Sequence, residues 1–285
     1  MSYYNRLIIQ RKLKEFIEED CSFADISSSS IPDNTETAAK IFAKTAGYVS
    51  GLEELKIIYE ILNVSTDLEK RDGDAFQKGD ILAKLKGKVR NILIGERLSL
   101  NLITHMSSIT STTRKFVDII KHSGKMVKIA CTRKTTPGLR IFEKKAVELG
   151  HGDTHRFSLD DMILLKDTHL RSYEGDVKKL LIDIKKKASF TKKIEIEVEK
   201  VEDVLIAAKN GADIVMLDNF SPDGVEDCIN LLKKHNFRDK VMIEVSGGIN
   251  LENIIDYLIS EPDVISSSQL TQFPSEQVDF SLRFD

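Results

Sequence analysis

The chain has 285 residues, with 42 Lys+Arg against 45 Asp+Glu and a formal net charge of −3, so no broad basic surface for nucleic acid is expected. At 41% apolar and 31% charged it is too apolar for a disordered chain and long enough to bury a full core, as one large domain or two modest ones. Three cysteines, Cys21, Cys131 and Cys228, without CxxC spacing argue against a disulfide scaffold and a structural zinc site.

Met1 to Asp20 lacks a signal-peptide pattern, and no apolar run approaches the roughly 20 residues that span a bilayer. A soluble, cytoplasmic protein with no membrane partner is expected. Asn5 to Glu19 reads as an amphipathic helix through Leu7, Ile8, Leu13, Phe16 and Ile17. Ser27 to Ser30 and Pro32 make a turn. Short strands are expected at Ile41–Ala46, Gly47–Val49 and, after the Arg71-Asp72-Gly73-Asp74 turn, Ile81–Leu85. From Glu96 the rhythm changes. Leu98 to His122 reads as one long helix or two. Apolar strands then follow at Val127–Cys131, Met162–Leu165, Ile194–Val198, Asp213–Leu217, Val241–Val245 and Asp263–Ile265. Helical patterns such as Arg140–Leu149, Val201–Asn210 and Val225–His235 lie between them, and this alternation predicts a parallel sheet.

Every one of these strands runs into residues capable of chemistry. Thr132-Arg133-Lys134 follow the first, Lys166-Asp167 the second, Asp218-Asn219 the fourth, Ser246-Gly247-Gly248 the fifth and Ser266-Ser267-Ser268 the sixth; the third carries Glu195, Glu197 and Glu199. An open sheet gathers ligands at one switch point, whereas a (β/α) barrel uses the whole ring of C-terminal strand ends. Six polar strand ends therefore favour a barrel. The alternating glutamates share one strand face, read either as a solvated edge or, in a strand covered by helices, as carboxylates pointing into the lumen that need partners such as Arg133, Lys134 and Lys166. Ser246-Gly247-Gly248 is expected to open the last helix, where backbone amides suit a phosphate, although Gly-Gly after a strand is often only a turn. His151 and His155 are four apart, but the Gly-Asp between them argues against a helical metal-binding face, and a lone histidine is more often structural. Pooled, these residues describe a cation-rich pocket with two or more acids, suited to a small polyanion together with a phosphorylated substrate. The acids would hold Mg²⁺ or stabilise developing positive charge.

The run Thr132-Arg133-Lys134-Thr135-Thr136-Pro137-Gly138-Leu139-Arg140 resembles the signature of quinolinate phosphoribosyltransferase, also called nicotinate-nucleotide pyrophosphorylase (carboxylating). The resemblance extends through Gly95-Glu96-Arg97, Glu143-Lys144-Lys145-Ala146-Val147, His155-Arg156, Lys166-Asp167, the Glu-x-Glu-x-Glu strand, Met216 to Phe220 and Ser246-Gly247-Gly248, in the family's order. It implies an α/β fold with an N-terminal α/β sandwich domain and an open-faced (β/α) barrel of six or seven parallel strands. On this chain the boundaries are taken as residues 1–103 and 104–271, with the tail 272–285 packing back on the first domain. The implied reaction joins quinolinate to phosphoribosyl pyrophosphate, with Mg²⁺, giving nicotinate mononucleotide, pyrophosphate and CO₂ in NAD biosynthesis. The implied assembly is a homodimer, or a hexamer built as a trimer of dimers, with Arg97 completing the neighbour's site. Arg97, Thr132, Arg133, Lys134, His155, Arg156, Lys166, Glu197 and Asp218 would bind substrates, with Glu197, Asp218 and Lys134 taking the catalytic roles. The Mg²⁺ would lie near Glu197 and Asp218, held mainly through the pyrophosphate. Ser246, Gly247, Gly248, Ser267, Ser268 and Gln269 would receive phosphate.

The chain departs from the family pattern at His151, between Gly150 and Gly152, where three glycines are usual. It also carries Thr168 for a usual asparagine, Ser108 for a usual glycine, and Ser267-Ser268-Gln269 for a usual Val-Gly-Ala. Two other readings compete: a pyrophosphorylase-like relative of molybdate-transport operons acting on another substrate, and a non-catalytic phosphosugar-binding barrel. Thr136 to Arg140 and Lys166-Asp167 fit the quinolinate enzyme better than the first. Retention of Glu197, Asp218 and the cations argues against the second.

Overall fold

A computed structural model describes residues 4–285. In chain order the elements are α1 (Arg6–Asp20), β1 (Glu36–Ala43), β2 (Gly47–Tyr48), α2 (Leu52–Ile61), β3 (Ser65–Leu68), β4 (Ala75–Phe76), β5 (Ile81–Lys88) and α3 (Val89–His122). There follow β6 (Lys128–Cys131), α4 (Arg140–Leu149), β7 (Ile163–Leu165), α5 (Asp167–Arg171), α6 (Val177–Lys187), β8 (Ile194–Val198), α7 (Val201–Lys209) and β9 (Ile214–Asp218). The chain closes with α8 (Pro222–Lys234), β10 (Met242–Ser246), α9 (Ile254–Leu258), β11 (Val264–Ser267) and β12 (Phe280–Phe284).

Two compact units emerge. The first joins the chain up to Arg114 with Thr136–His151 and Pro274–Asp285; the second comprises Lys115–Thr135 and Gly152–Phe273. The expected boundary at residue 103 falls inside α3, an unbroken helix of 34 residues, so no linker exists there. In the first unit an antiparallel sheet runs β12-β1-β5-β3, with β2 and β4 as a separate pair. Along β1, Ala39, Ile41 and Ala43 are buried at every second position, the period of a half-buried strand. Their face packs with Leu52, Leu55 and Tyr59 of α2, Leu82 and Leu85 of β5, and Phe280 of β12. β12 comes from the C-terminal tail and pairs with β1 from Ala39↔Phe284 to Ala43↔Phe280. Ser108, buried in α3, accepts a hydrogen bond from the Val278 amide at 3.4 Å, which gives this departure from glycine a structural use.

The second unit holds a six-stranded parallel sheet in the order β6-β11-β10-β9-β8-β7. This is the order of a (β/α) barrel opened between its first two strands, the open-faced barrel that the resemblance implies. The free edge of β6 is not left bare. Asp153 lies parallel to it, receiving the Cys131 N–H at 3.0 Å and donating to Ile129 O at 2.8 Å, which blocks edge-to-edge pairing.

Several strands sit one residue later than the hydrophobic runs indicate. Asp213 and Asp263 precede β9 and β11 rather than starting them, and their carboxylates accept the amides of Ile194 and Ile243, each at 2.7 Å. The shift places Asp218, Ser246 and Ser267 inside their strands, on the ladder instead of in loops. Ser221 caps α8 by accepting from the Gly224 amide, with Pro222 in the first turn, so that helix starts three residues before the expected Val225.

Candidate functional site

Strand β8 is buried at all five positions, so Glu195 and Glu197 cannot form a solvated face. Glu199 lies past the strand end and is exposed, so two carboxylates, not three, occupy the buried strand. Lys166 Nζ reaches Glu197 Oε2 at 2.8 Å, making the nearly buried acid part of an ion pair at the cavity wall. Asp218, at the end of the adjacent β9, sits above the usual carboxylate range because of burial first and the Glu197 charge second; Lys166 partly offsets both.

Around these two acids the C-terminal strand ends enclose a cavity of about 710 Å³. Thr132, Arg133 and Lys134 line it from beyond β6, His155 and Arg156 from the segment before β7, and Lys166 from the end of β7. Ser246, Gly247 and Gly248 enter from β10, and Ser267, Ser268 and Gln269 from β11. Of the residues that the resemblance assigns to substrate or phosphate binding, all but Arg97 line it; that side chain is exposed on α3 in the first unit.

The loops are held by short polar contacts. The Lys134 amide donates to Thr132 Oγ1 at 3.0 Å, and Thr271 Oγ1 donates to Lys134 O at 2.8 Å. Arg133 Nε is buried with no hydrogen-bond partner, a donor available to a ligand. Arg156 is held below the ordinary guanidinium value by burial and then by the Arg133 charge, so a bound anion would relieve a repulsion already present. Ser267 Oγ donates to Ile249 O at 2.6 Å, and Gln269 Oε1 accepts from the Leu251 amide at 3.2 Å, joining the two turns that follow β10 and β11. This chain's Ser267-Ser268-Gln269 therefore braces the cavity rim with side chains.

One expectation is corrected. Ser246-Gly247-Gly248 does not open a helix, because α9 begins only at Ile254. Asn250 and Asn253 fold the intervening residues into turns instead, Asn253 Oδ1 accepting from the Asn250 amide and its Nδ2 donating to Gly248 O. Any phosphate contact here comes from turn amides, with Gly247 and Gly248 at φ +102° and +64°, a conformation that L side chains rarely adopt.

His155 is engaged on both nitrogens. Its Nε2 lies 3.1 Å from Glu244 and 3.4 Å from Glu195, and its Nδ1 accepts the Arg156 amide at 2.6 Å. Burial pulls the imidazole pKa down, but the two carboxylates outweigh it and lift the value to about 10. A doubly protonated ring conflicts with the Arg156 amide at Nδ1. Burial raises Glu195 as well, with the His155 hydrogen bond opposing it and the Glu244 charge adding to it. The ligand atoms of His155, Glu195 and Glu244 lie within 4.8 Å of one another. With Nδ1 accepting, however, the ring proton sits on Nε2, the atom a metal would need. This is a hydrogen-bonded triad. Glu244 was the residue hardest to see in the sequence, its only signal being a lone acid inside the apolar run Met242 to Val245. His151, at φ +68°, takes a left-handed position that histidine tolerates better than most residues.

Cations and two acids facing one cavity, with glycine turns at its rim and a parallel (β/α) scaffold behind it, define a barrel that handles phosphorylated and carboxylated small molecules. Comparison narrows the class. Residues 24–107 match the N-terminal domain of quinolinate phosphoribosyl transferase and residues 109–283 match its C-terminal domain. The probable nicotinate-nucleotide pyrophosphorylase (carboxylating) of Archaeoglobus fulgidus is 42% identical over 87% of this chain and 94% of that protein. The nicotinate-nucleotide pyrophosphorylase (carboxylating) of Homo sapiens is 32% identical over 94% of this chain and 89% of that protein. The crystal structure of NadC from Streptococcus pyogenes superposes with a TM-score of 0.90 at 34% identity, covering 100% of both chains. The chain belongs to the quinolinate phosphoribosyltransferase family.

Proposed function

We propose that this cavity joins quinolinate to phosphoribosyl pyrophosphate and releases pyrophosphate and CO₂, forming nicotinate mononucleotide in NAD biosynthesis. The observation that carries this reading is the division of charge in the cavity: Arg133, Lys134, Arg156 and Lys166 supply cations, while Glu197 and Asp218 stand together at adjacent strand ends. A dicarboxylate needs the first set. A sugar carbon losing pyrophosphate needs the second, because positive charge develops there as the C–O bond breaks.

In the proposed sequence, the ring nitrogen of quinolinate forms a bond to C1 of the ribose as the pyrophosphate oxygen leaves. Arg133, Arg156 and Lys134 hold the carboxylates and orient the ring for that attack. Thr132 and His155 support these cations through the contacts described above. Loss of CO₂ from C2 leaves an electron pair that the ribosylated nitrogen stabilises, and a proton then occupies C2. The turns at Ser246-Gly247-Gly248 and Ser267-Ser268-Gln269 receive the 5′-phosphate. Carboxylate oxygens suit Mg²⁺, and Asp218, raised by burial and then by the Glu197 charge, would gain from a cation held beside it and Glu197. Once bound, chiefly through the pyrophosphate, Mg²⁺ would neutralise the charge on that leaving group.

In the same reading Arg97 reaches the cavity of a second copy, in a homodimer or a trimer of dimers, and the enzyme works in the cytoplasm. No helix among the described residues is long and apolar enough to cross a membrane. The test is Mg²⁺-dependent release of labelled CO₂ from the C2 carboxyl of quinolinate. Release is expected only with phosphoribosyl pyrophosphate present. Turnover of nicotinate instead, or no labelled CO₂, would overturn the reading.

A further inference from the structure

Asn219 has no place in the reaction as described, yet three contacts converge on it. It follows β9 at φ +58°, in the left-handed region that few side chains accept. Its Nδ2 donates to Asp218 Oδ2 at 2.7 Å. Its backbone amide donates to Ser246 O at 2.9 Å, beside the pair Asp218↔Ser246 that ends the β9–β10 ladder. The side chain also lies against the glycine turn: a Cβ on Gly247 would stand 2.3 Å from Asn219 Oδ1 and 2.7 Å from its Cγ. Gly247 is thus excluded from carrying a side chain by Asn219 itself, as well as by its own φ of +102°.

We propose that Asn219 is a positioning residue that aims the Asp218 carboxylate and holds the Gly247 turn at a set distance from it. One residue would then fix both ends of the phosphoribosyl grip, the acid near C1 and the turn for the 5′-phosphate. The inference rests on the functional reading above and adds a residue to it. Asn219 acts through Asp218 and Gly247: its Nδ2 is committed to the carboxylate, and its Oδ1 is packed on the turn.

The geometry separates this role from a purely conformational one. Aspartate at 219 keeps the size of the side chain and tolerates a left-handed backbone, but it replaces the donor with a second negative charge beside Asp218 Oδ2. Glycine keeps the backbone conformation without strain and removes the donor. The experiment measures, in Asn219→Asp and Asn219→Gly, the KM for phosphoribosyl pyrophosphate, kcat, and quinolinate affinity by direct titration. Loss of a charge-assisted hydrogen bond predicts a KM for phosphoribosyl pyrophosphate about tenfold higher in each. Quinolinate affinity stays within about twofold, because Arg133 and Lys134 are untouched. That titration also reports whether each variant is folded, and glycine keeps the test open should aspartate disturb the turn. A KM for phosphoribosyl pyrophosphate within about twofold of the unaltered enzyme in either folded variant overturns the proposal, since a residue needed only for its backbone shape predicts that result. The unaltered enzyme is the separate control: if it releases no CO₂ from quinolinate, the functional reading fails, and the inference with it.

Discussion

Arg133 is partly buried at the cavity wall, with its Nε unsatisfied and a second guanidinium, Arg156, that is depressed by burial and then by the Arg133 charge. A carboxylate arriving there satisfies a donor and neutralises a repulsion at once, so the Arg133 guanidinium contributes more than an exposed arginine would. Arg133→Ala is expected to weaken quinolinate binding by about 2–3 kcal/mol, read by calorimetric titration without phosphoribosyl pyrophosphate. Unchanged affinity would remove Arg133 from the quinolinate site. At this scale much of the site was legible in the sequence, because a polar residue directly after an apolar run has few places to go but the strand-end face. Thr132 to Lys134, Lys166, Asp218 and Ser246 are of this kind. The His155–Glu195–Glu244 triad was not legible, since it joins residues 89 apart whose side chains meet in a lumen that no local period describes.

Among the elements, α4 departs most from what its periodicity suggests. Arg140–Leu149 has the amphipathic pattern of a helix that covers a barrel strand, and it follows β6 as such a helix should, yet it belongs to the first unit. Periodicity reports that a helix has an apolar face, not which element receives it. What receives α4 includes charge. Lys145 is buried, with its Nζ at 2.8 Å from Glu54 Oε1 of α2 and 3.5 Å from Asp72 Oδ2. Glu143, fully buried, accepts from the Thr136 amide and pairs with His105 of α3 at 2.9 Å. Removing one member of such a pair strands the other without water, so Glu54→Ala is expected to destabilise the protein by about 3 kcal/mol. The double change Glu54→Leu with Lys145→Met is expected to recover most of that loss, because two apolar groups need no partner. Urea unfolding of the three proteins checks both statements. A loss below about 1 kcal/mol in the single variant would mean that Asp72 alone suffices for Lys145.

For the molecule as a whole, the decisive residue is the one absent from the cavity. Every sequence-derived site residue except Arg97 lines the space at the strand ends, while Arg97 is exposed on α3 in the first unit. An exposed arginine is ordinary on a surface helix, and the cavity's own cations already include Arg133, Lys134, Arg156 and Lys166. If Arg97 serves the cavity of a second copy, sites form only where two chains meet, and complementation follows from symmetry. In a dimer of an Arg97→Ala chain with an Arg133→Ala chain, one site combines an intact Arg133 with the partner's intact arginine, and the other site lacks both. Random mixing places half of the protomers in such heterodimers, and half of their sites are whole. Inactive parents co-refolded in equal amounts should therefore regain about one quarter of the unaltered activity. Differently tagged chains, purified through both tags, should reach about one half. A self-contained site predicts no gain in either preparation, because each chain would carry its defect alone. A double-tagged heterodimer that forms and stays inactive would therefore assign Arg97 a role within its own subunit, and an Arg97→Ala parent as active as the unaltered enzyme would leave it a surface residue.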